Sequence, residues 1–239
     1  MGMFGFPGYC TESLEDLDPM DRGLTEIMIE KAATRIMKST LEMENNPATE
    51  SDIYALTTGS VKTWGLSRDL SSQHIEEVLS MNKVMKFLQQ NYSSPVTPEI
   101  VCLYNRMIVA GPKSVMSGEL RKTNVFIQGT SYVPPDFRDL DRKFDQMFEA
   151  VEQLSGSLNK AVSFLLAISK SQFFMDGNKR TARMVALHQC CYGGQKILSP
   201  LVDNQEYLKM LRDFYESDNN SGFVEFFKAN LFSLDDIRP

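Results

Sequence analysis

Apolar residues at helical spacing run through most of the chain, and this feature limits its fold more than any other. Side chains that recur three or four residues apart form one face of a helix. Such stripes occupy segments 24–43, 52–66, 72–85, 137–154, 158–166, 180–191, 207–215 and 223–231. Thr97 and Pro98 add a strong helix start, because a capping hydroxyl precedes a proline at the first helical position. We therefore predict an all-α helical bundle.

One segment departs from this pattern. Asn124–Pro135 reads NVFIQGTSYVPP, in which β-branched and aromatic residues surround a Gly-Thr turn. This arrangement is typical of a short hairpin. We predict one small β-hairpin within the helical bundle.

The bulk properties exclude several classes of function. The net charge is −6, which disfavours general nucleic-acid binding because that needs a basic face. Four cysteines without a Cys-x-x-Cys pair, and two distant histidines, argue against zinc and for reduced thiols. No apolar run reaches the roughly 18 residues of a membrane span. We expect no membrane partner and a cytoplasmic protein, with a host-cell cytoplasm reached by secretion left open.

The stretch Ser171–Arg183, SQFFMDGNKRTAR, resembles an anion site. A helix starting near Gly177 and Asn178 would present unpaired N–H groups and the positive end of its dipole. Lys179, Arg180 and Arg183 add charge, and the two arginines, three residues apart, share one side of the helix. Such a site suits a di- or triphosphate, and Asp176 could hold its Mg²⁺. The plain alternative is a helix cap with a solvated basic turn.

The same stretch resembles the signature of the Fic family, His-x-Phe-x-Asp/Glu-Gly-Asn-Gly/Lys-Arg, often followed by x-x-Arg. The matching residues are Phe174, Asp176, Gly177, Asn178, Lys179, Arg180 and Arg183. Fic proteins also carry an upstream flap that pairs with a target peptide. Its pattern is matched here by Arg121, Val125, Ile127, Gly129, Pro134 and Pro135. The resemblance covers roughly residues 97–233.

This resemblance implies a function and a domain plan. Fic enzymes typically transfer AMP from Mg·ATP to a protein hydroxyl, so ATP and Mg²⁺ are the expected cofactors. A target protein would dock on the flap at 124–135, and a homodimer is left open. We divide the chain into an N-terminal segment at 1–50, partly loose, a helical annex at 51–96 that could hold an inhibitory helix, and a Fic core domain at 97–239.

The resemblance also assigns roles within the loop. Asp176 would hold Mg²⁺, and the amides around Gly177 and Asn178 would cradle the α- and β-phosphates. Arg180 and Arg183 would bind the phosphate tail beside Lys179, and Phe174 would anchor the loop in the core. Gly177 argues against the Doc branch of the family, which has Ala there and phosphorylates its targets.

The chain departs from the family at Gln172, which occupies the place of the family's catalytic His. An amide cannot accept a proton usefully near neutral pH and can only orient a hydroxyl by hydrogen bonding. Loss of a general base typically removes about 10²–10⁴-fold of the rate. His188 lies roughly 12 Å along the helix from Arg180 at 1.5 Å per residue, so it does not replace the missing base.

A second departure concerns an inhibitory helix found in many Fic proteins, with the pattern Ser/Thr-x-x-x-Glu-Gly/Asn. Its Glu pairs with the second motif arginine, which is Arg183 here. We match this pattern to SVKTWG, where Ser60 and Gly65 fit and Trp64 replaces the Glu. Under this alignment Arg183 has lost its carboxylate partner, and Trp64 could stack on its guanidinium.

Three interpretations follow from these departures. In the first, the protein is an adenylyltransferase that works slowly, or that uses Gln172 to position an already acidic nucleophile, and Gln172, Asp176, Asn178 and Arg180 form a degenerate catalytic set. Alternatively, it is an inactive nucleotide-binding pseudoenzyme whose flap recruits a partner. In the third, Gln172 is an engineered change in an ordinary enzyme. The retained arginines favour activity, and Gln172 together with Trp64 favours inactivity.

Overall fold

The computed structural model of the 239-residue chain describes residues 14–16, 22–61, 65–109, 116–195, 197–198, 204–229 and 231–232. The predicted all-α fold is confirmed. The helices are α1 (Arg22–Glu42), α2 (Glu50–Thr58), α3 (Ser72–Asn91), α4 (Pro98–Ile108), α5 (Leu140–Glu152), α6 (Ser157–Ser171), α7 (Asn178–Tyr192), α8 (Asn204–Ser217) and α9 (Ser221–Ala229). A short 3₁₀ turn, Phe137–Asp139, precedes α5.

Helices α6 and α7 form the centre of the bundle. They pack along each other more extensively than any other pair among the described elements, and nearly every residue of both is buried. Helices α4 and α1 cover α7, while α3 lies against both α1 and α4. The hydrophobic core is continuous from α1 to α9. The connection between α6 and α7 is therefore held at both ends by well-packed helices.

Several helix starts follow the sequence signals. The Thr97 side chain accepts a hydrogen bond from the Ile100 N–H, with Pro98 at the first helical position. The Ser71 side chain caps α3 by accepting a hydrogen bond from the His74 N–H. Helix α2 ends at Thr58, before the predicted end near Leu66, because Gly59 has a left-handed conformation with φ of 76°.

The cap of α6 comes from a distant part of the chain. Gly156 at the helix start has no side chain to offer, and the Asp16 carboxylate accepts from the Ser157 N–H (2.6 Å) and the Leu158 N–H (2.9 Å). A carboxylate at this position also complements the helix dipole. No local sequence pattern indicates this cap, which ties residues 14–16 to the central helix.

The predicted hairpin at Asn124–Pro135 is absent. This segment has a turn at Gln128 and Gly129, and its two arms form no strand. A hairpin needs cross-strand backbone hydrogen bonds, and here side chains take several of the backbone groups instead. Arg121 donates to the carbonyls of Thr123 (2.7 Å) and Pro135 (2.5 Å). The strands that the described residues do form, β1 (Ile197–Leu198) and β2 (Leu231–Phe232), pair antiparallel and were not predicted.

The described residues contain no helix that is both long and apolar enough to span a bilayer.

His188 is a buried structural residue of α7. Its Nδ1 accepts from the Tyr104 hydroxyl (2.9 Å) and its Nε2 donates to the Ser94 carbonyl (3.0 Å). A carbonyl can only accept, so Nε2 carries the proton and the ring is neutral. Burial lowers the pKa of His188, against the opposing effect of hydrogen bonds to backbone carbonyls. The expectation that His188 has no catalytic part agrees with this position.

This geometry predicts a pH-dependent stability. The lowered pKa of His188 means that the unfolded chain takes up a proton below about pH 6.5 while the folded chain does not. The free energy of unfolding should therefore fall as the pH drops from 7 towards 5.5, and His188→Gln should flatten that slope. Urea denaturation at each pH measures it, with His74→Gln as the matched control. Equal slopes in the parent and in His188→Gln would contradict the assignment.

Candidate functional site

The candidate site lies where the chain passes from α6 to α7. Gln172 ends α6 with a positive φ of 49°, which is unusual for a residue with a side chain, and Gly177 precedes α7 with φ of 75°. Between them Phe173 and Phe174 are buried, at 0% and 1% exposure. The expectation that Phe174 anchors the loop in the core agrees with this burial. These two buried rings fix the loop to the hydrophobic core, so its polar groups are held in defined positions.

Asn178 closes the loop on itself. Its side-chain oxygen accepts from the Phe174 N–H (2.9 Å), and its amide donates to the Phe174 carbonyl (2.7 Å) and to Gln172 Oε1 (3.1 Å). This side chain is 95% buried and its polar atoms are occupied. It therefore shapes the loop, and the groups of Asn178 left to meet a ligand belong to its backbone.

A second asparagine, Asn105 of α4, supports the loop from the other side. Its fully buried amide donates to the Asp176 carbonyl (2.9 Å) and to Thr181 Oγ1 (3.1 Å), and its oxygen accepts from the Gly118 N–H (2.9 Å). Asn105 was not among the predicted site residues. No local pattern marks it, because two of its partners, Asp176 and Thr181, lie more than 70 residues away in the sequence.

Gln172 is engaged by the protein itself. Its side-chain Nε2 donates to the Ser169 carbonyl (2.6 Å), and its Oε1 accepts from Asn178. Its backbone carbonyl accepts from Arg121 Nε (2.6 Å). The amide thus acts as a cap for α6, and both ends of the side chain are already bonded.

The start of α7 is open to an anion. The first backbone N–H groups of a helix have no intrahelical acceptor. At α7 the preceding residue is Gly177, which has no side chain to cap them. Arg180 is only 5% exposed, and its Nε has no hydrogen-bond partner among the described residues. Its Nη2 lies 3.6 Å from the Asp176 carboxylate. A buried guanidinium N–H without an acceptor is costly, and a phosphate oxygen would satisfy it.

Asp176 is the one acidic group on the loop itself. Its carboxylate accepts from the Gly177 N–H (2.7 Å) and lies near Arg180. Among the described residues no group of three or more His, Cys, Asp or Glu side chains could hold a metal ion. A single carboxylate fits Mg²⁺ that arrives with substrate phosphates, since Mg²⁺ is usually bound through one or two carboxylates plus phosphates and water.

Arg183 lies deeper than the sequence suggested. It is 8% exposed, and its guanidinium donates to Ser39 Oγ (3.0 Å) and contacts the Met43 sulfur (3.1 Å) of the α1 end. The Tyr207 ring lies 5.3 Å from it. Burial lowers the pKa of Arg183. Arg183 and Arg180 share one helix, but Arg183 is enclosed by α1 and α8.

A cavity of about 550 Å³ opens beside the loop. Its described lining residues are Glu44, Phe126, Ile127, Gln128, Gln172, Met175, Asp176, Gly177, Asn178, Lys179, Leu208, Leu211, Arg212 and Tyr215. The loop thus forms its floor, the segment 124–135 one wall and α8 another. Of the predicted flap residues, Ile127 lines the cavity, while Val125 is half-buried and Gly129 takes up the turn with φ of 82°.

Glu44 is a site residue that the sequence analysis missed. It lines the cavity, and its carboxylate lies 3.5 Å from Lys179 Nζ. Thr40 and Asn45 complete the pattern Ser/Thr-x-x-x-Glu-Gly/Asn with this Glu. Arg183, the arginine that such a Glu would pair with, contacts the same end of α1. The signal was therefore present in the sequence, at the end of α1.

Ser60 and Gly65, which were predicted for this inhibitory role, have no contact with Arg183 among the described interactions. The Ser60 hydroxyl accepts from Thr58 (2.8 Å), and Gly65 is exposed with a positive φ of 72°. Trp64 lies outside the described residues. Arg183 contacts Ser39, Met43 and Tyr207, so the structure joins it to α1 and α8.

Comparison with known proteins agrees with this architecture. Residues 95–190 match the sequence model of the Fic/DOC family. No curated protein matches the chain. A Fic domain containing signaling protein from Bacteroides thetaiotaomicron VPI-5482 superposes with a TM-score of 0.69 at 17% identity, over 89% of this chain and 87% of that one.

Two further solved structures share the fold. Fic-1 (residues 134–508) from C. elegans has a TM-score of 0.71 at 17% identity, over 89% of this chain and 64% of that one. A Fic family protein from Desulfovibrio desulfuricans G20 has a TM-score of 0.70 at 16% identity, over 90% and 66%. The chain thus spans about two thirds of these two relatives. The fold is that of Fic-domain proteins, and residues 95–190 support a Fic domain.

Gly177 offers a test of the loop geometry. A Cβ at this position would lie 2.9 Å from Val109 Cγ2, and φ is positive, so Gly177→Ala carries both strain and a clash. Gly59→Ala is the matched control, because its φ is 76° but nothing lies within 4 Å. We expect the control to lose about 1 kcal/mol of unfolding free energy, and Gly177→Ala about 1–3 kcal/mol more.

Chemical denaturation of both variants measures this difference. Because the clash is with a methyl group of Val109, the double variant Gly177→Ala/Val109→Ala should lose less than the sum of the two single changes. Equal losses for Gly177→Ala and Gly59→Ala would show that the close approach of the loop to α4 is wrong.

Proposed function

We propose that this protein binds Mg·ATP in the cavity beside the loop and is a Fic-type protein adenylyltransferase with a degenerate active site. Fic-domain proteins are commonly adenylyltransferases, and the fold and the match of residues 95–190 support this class. The observation that carries the proposal is the open start of α7, where no side chain caps the first N–H groups and the buried Arg180 Nε has no hydrogen-bond partner among the described residues. A phosphate chain supplies an anion for both.

The cavity suits a nucleotide. Its volume of about 550 Å³ lies within the usual range for small-molecule sites. The phosphates would lie over Gly177 and the first turn of α7, close to Lys179 and Arg180. The apolar groups of Leu211 and Tyr215 on α8 would face the nucleoside. Mg²⁺, when bound with the phosphates, would be held by Asp176 and would neutralise developing charge on them.

Gln172 explains why transfer would be weak. The target hydroxyl must lose its proton as it attacks the α-phosphate and displaces pyrophosphate, and an amide cannot take that proton. The Gln172 side chain is moreover bonded to Ser169 and Asn178, so it is already occupied in the free protein. What remains is binding, orientation and charge stabilisation by the loop, which by themselves still accelerate a reaction.

The same contacts favour a second candidate function. An amide bonded at both ends stabilises the α6 cap and contributes nothing to proton transfer. The protein would then be a catalytically inactive nucleotide-binding pseudoenzyme that acts through protein interaction. Nucleotide binding is common to both candidates, and the fate of the α-phosphate separates them.

The flap is the proposed docking edge for a protein partner. Among the described residues its arm around Val125 and Ile127 belongs to no helix or strand and makes no backbone pairing, so its backbone groups are available to an added strand. Phe126 is 84% exposed beside the cavity mouth, next to the 41% exposed Met175. An extended segment of a target could pair here and bring a hydroxyl to the cavity.

Incorporation of label from α-³²P-ATP with Mg²⁺ tests the proposed reaction. The parent should incorporate label slowly, and Gln172→His should incorporate it about 10²–10⁴-fold faster because it restores a base. Gln172→His/Arg180→Ala is the control and should lose the gain. Label on Gln172→His alone would favour the inactive candidate for the parent. Absence of label on every variant, with no binding of Mg·ATP, would refute the proposed function.

Glu44 predicts a change in nucleotide affinity. Its carboxylate lies in the cavity and holds Lys179, so it repels the phosphates and withdraws a cation from them. Glu44→Ala should tighten Mg·ATP binding about three- to tenfold, an effect of roughly 1 kcal/mol. Glu42→Ala is the matched control, since Glu42 bonds Lys38 and Asn204 and lines an adjoining cavity. Calorimetry that finds equal affinities for both variants would refute the role of Glu44.

A further inference from the structure

The tip of the flap is fastened to α8 by one carboxylate. Glu216 Oε1 accepts from the Thr130 hydroxyl (2.9 Å) and from the Ser131 N–H (3.2 Å). The Tyr132 N–H then donates to Thr130 Oγ1 (3.1 Å). The bond from the Ser131 backbone, followed by that from Thr130, lowers the pKa of Glu216, which is consistent with a carboxylate that accepts both. The three residues after the turn thus form one hydrogen-bonded unit with the end of α8.

A buried lysine, Lys170, also joins the flap to α8. Lys170 is 1% exposed, and its ammonium lies 4.6 Å from the Tyr132 ring and 4.8 Å from the Phe214 ring. It also donates to the Phe214 carbonyl (3.2 Å) and pairs with Asp218, just beyond α8. Lys170 also precedes Gln172, at the start of the loop, by two residues. The flap, the end of α8 and the start of the loop therefore all lie near the Lys170 ammonium.

The flap needs such external support because its own backbone supplies little. Its two arms form no strand ladder, and Arg121 holds only its base, through the carbonyls of Thr123 and Pro135. Helix α8, in contrast, has the backbone hydrogen bonds of a 14-residue helix, and its Leu211 and Tyr215 line the cavity. A contact between the flap tip and α8 therefore sets the distance between the docking edge and the cavity.

We propose that Glu216 is a positioning residue that fixes the flap tip on α8 and so holds the docking edge at the cavity mouth. The functional meaning of this contact rests on the proposed function of the site. The contact itself does not, because it is made within the protein without a ligand. Its two consequences can therefore be tested separately.

Hydrogen exchange of the free protein tests the contact. Glu216→Ala should raise the exchange rates of the Ser131 and Tyr132 amides about fivefold or more, because both lose their ordered acceptors. Glu216→Gln keeps an acceptor oxygen and should retain most of the protection. Glu206→Ala, an exposed acid on the same helix, is the control and should match the parent. Unchanged exchange in Glu216→Ala, or a rise spread equally over α6 and α7, would overturn the proposal.

Kinetics in the Gln172→His background test the positioning role. Adding Glu216→Ala should lower the rate of AMP incorporation severalfold and leave the ATP KM within about twofold, because the phosphate site is untouched. Adding Glu216→Gln should restore most of the rate. An unchanged rate in Glu216→Ala would overturn the positioning role. A Gln172→His protein that neither binds Mg·ATP nor incorporates label would refute the proposed function, and the exchange experiment would still decide the contact.

Discussion

The hydrogen bonds of the Asn178 side chain hold the site together. By bonding both backbone groups of Phe174 and the side chain of Gln172, Asn178 fixes the loop over a distance of six residues. The fixed loop sets the direction of α7 and leaves its first N–H groups open at the cavity. It also presents the Gln172 carbonyl to Arg121, which in turn holds the base of the flap. The proposed phosphate site and the proposed docking edge are thus both positioned through Asn178.

Positive charge is buried here at a cost to stability. Arg180 has an unsatisfied Nε, and Arg183 is bonded to a hydroxyl and a thioether where a carboxylate would offset its charge. Glu44 neutralises Lys179 at the rim. Groups left unsatisfied within an otherwise well-packed protein tend to mark sites of function. An arriving polyphosphate would satisfy what the protein alone does not.

The sequence predicted those features that depend on local patterns. Helical periodicity located the helices, and Thr97 with Pro98 marked a helix start, because both signals lie within a few neighbouring residues. The Fic-like motif at Ser171–Arg183 predicted the loop before α7 and the position of Gln172 in it. The hairpin was wrong because β-propensity ignores competing side chains such as Arg121. Asn105, Asp16 and Glu216 act through contacts more than 70 residues away, which no local pattern reveals.

Glu44 was missed for a different reason. Its pattern is as short as the one at Ser60–Gly65, and only the packing of α1 against α7 shows which of the two segments meets Arg183. A weak motif becomes informative once its position in space is known. The same applies to Gln172, whose sequence position suggested a degenerate base and whose hydrogen bonds show a helix cap.

A crystal structure of the protein with Mg²⁺ and a non-hydrolysable ATP analogue, at a saturating concentration, tests the central claim most directly. We predict that the β- and γ-phosphates lie over Gly177 and the first turn of α7, with Arg180 Nε donating to a phosphate oxygen and Gln172 still bonded to Ser169. An analogue bound elsewhere, or an unchanged cavity beside α7 in which Arg180 Nε still has no acceptor, would contradict this prediction.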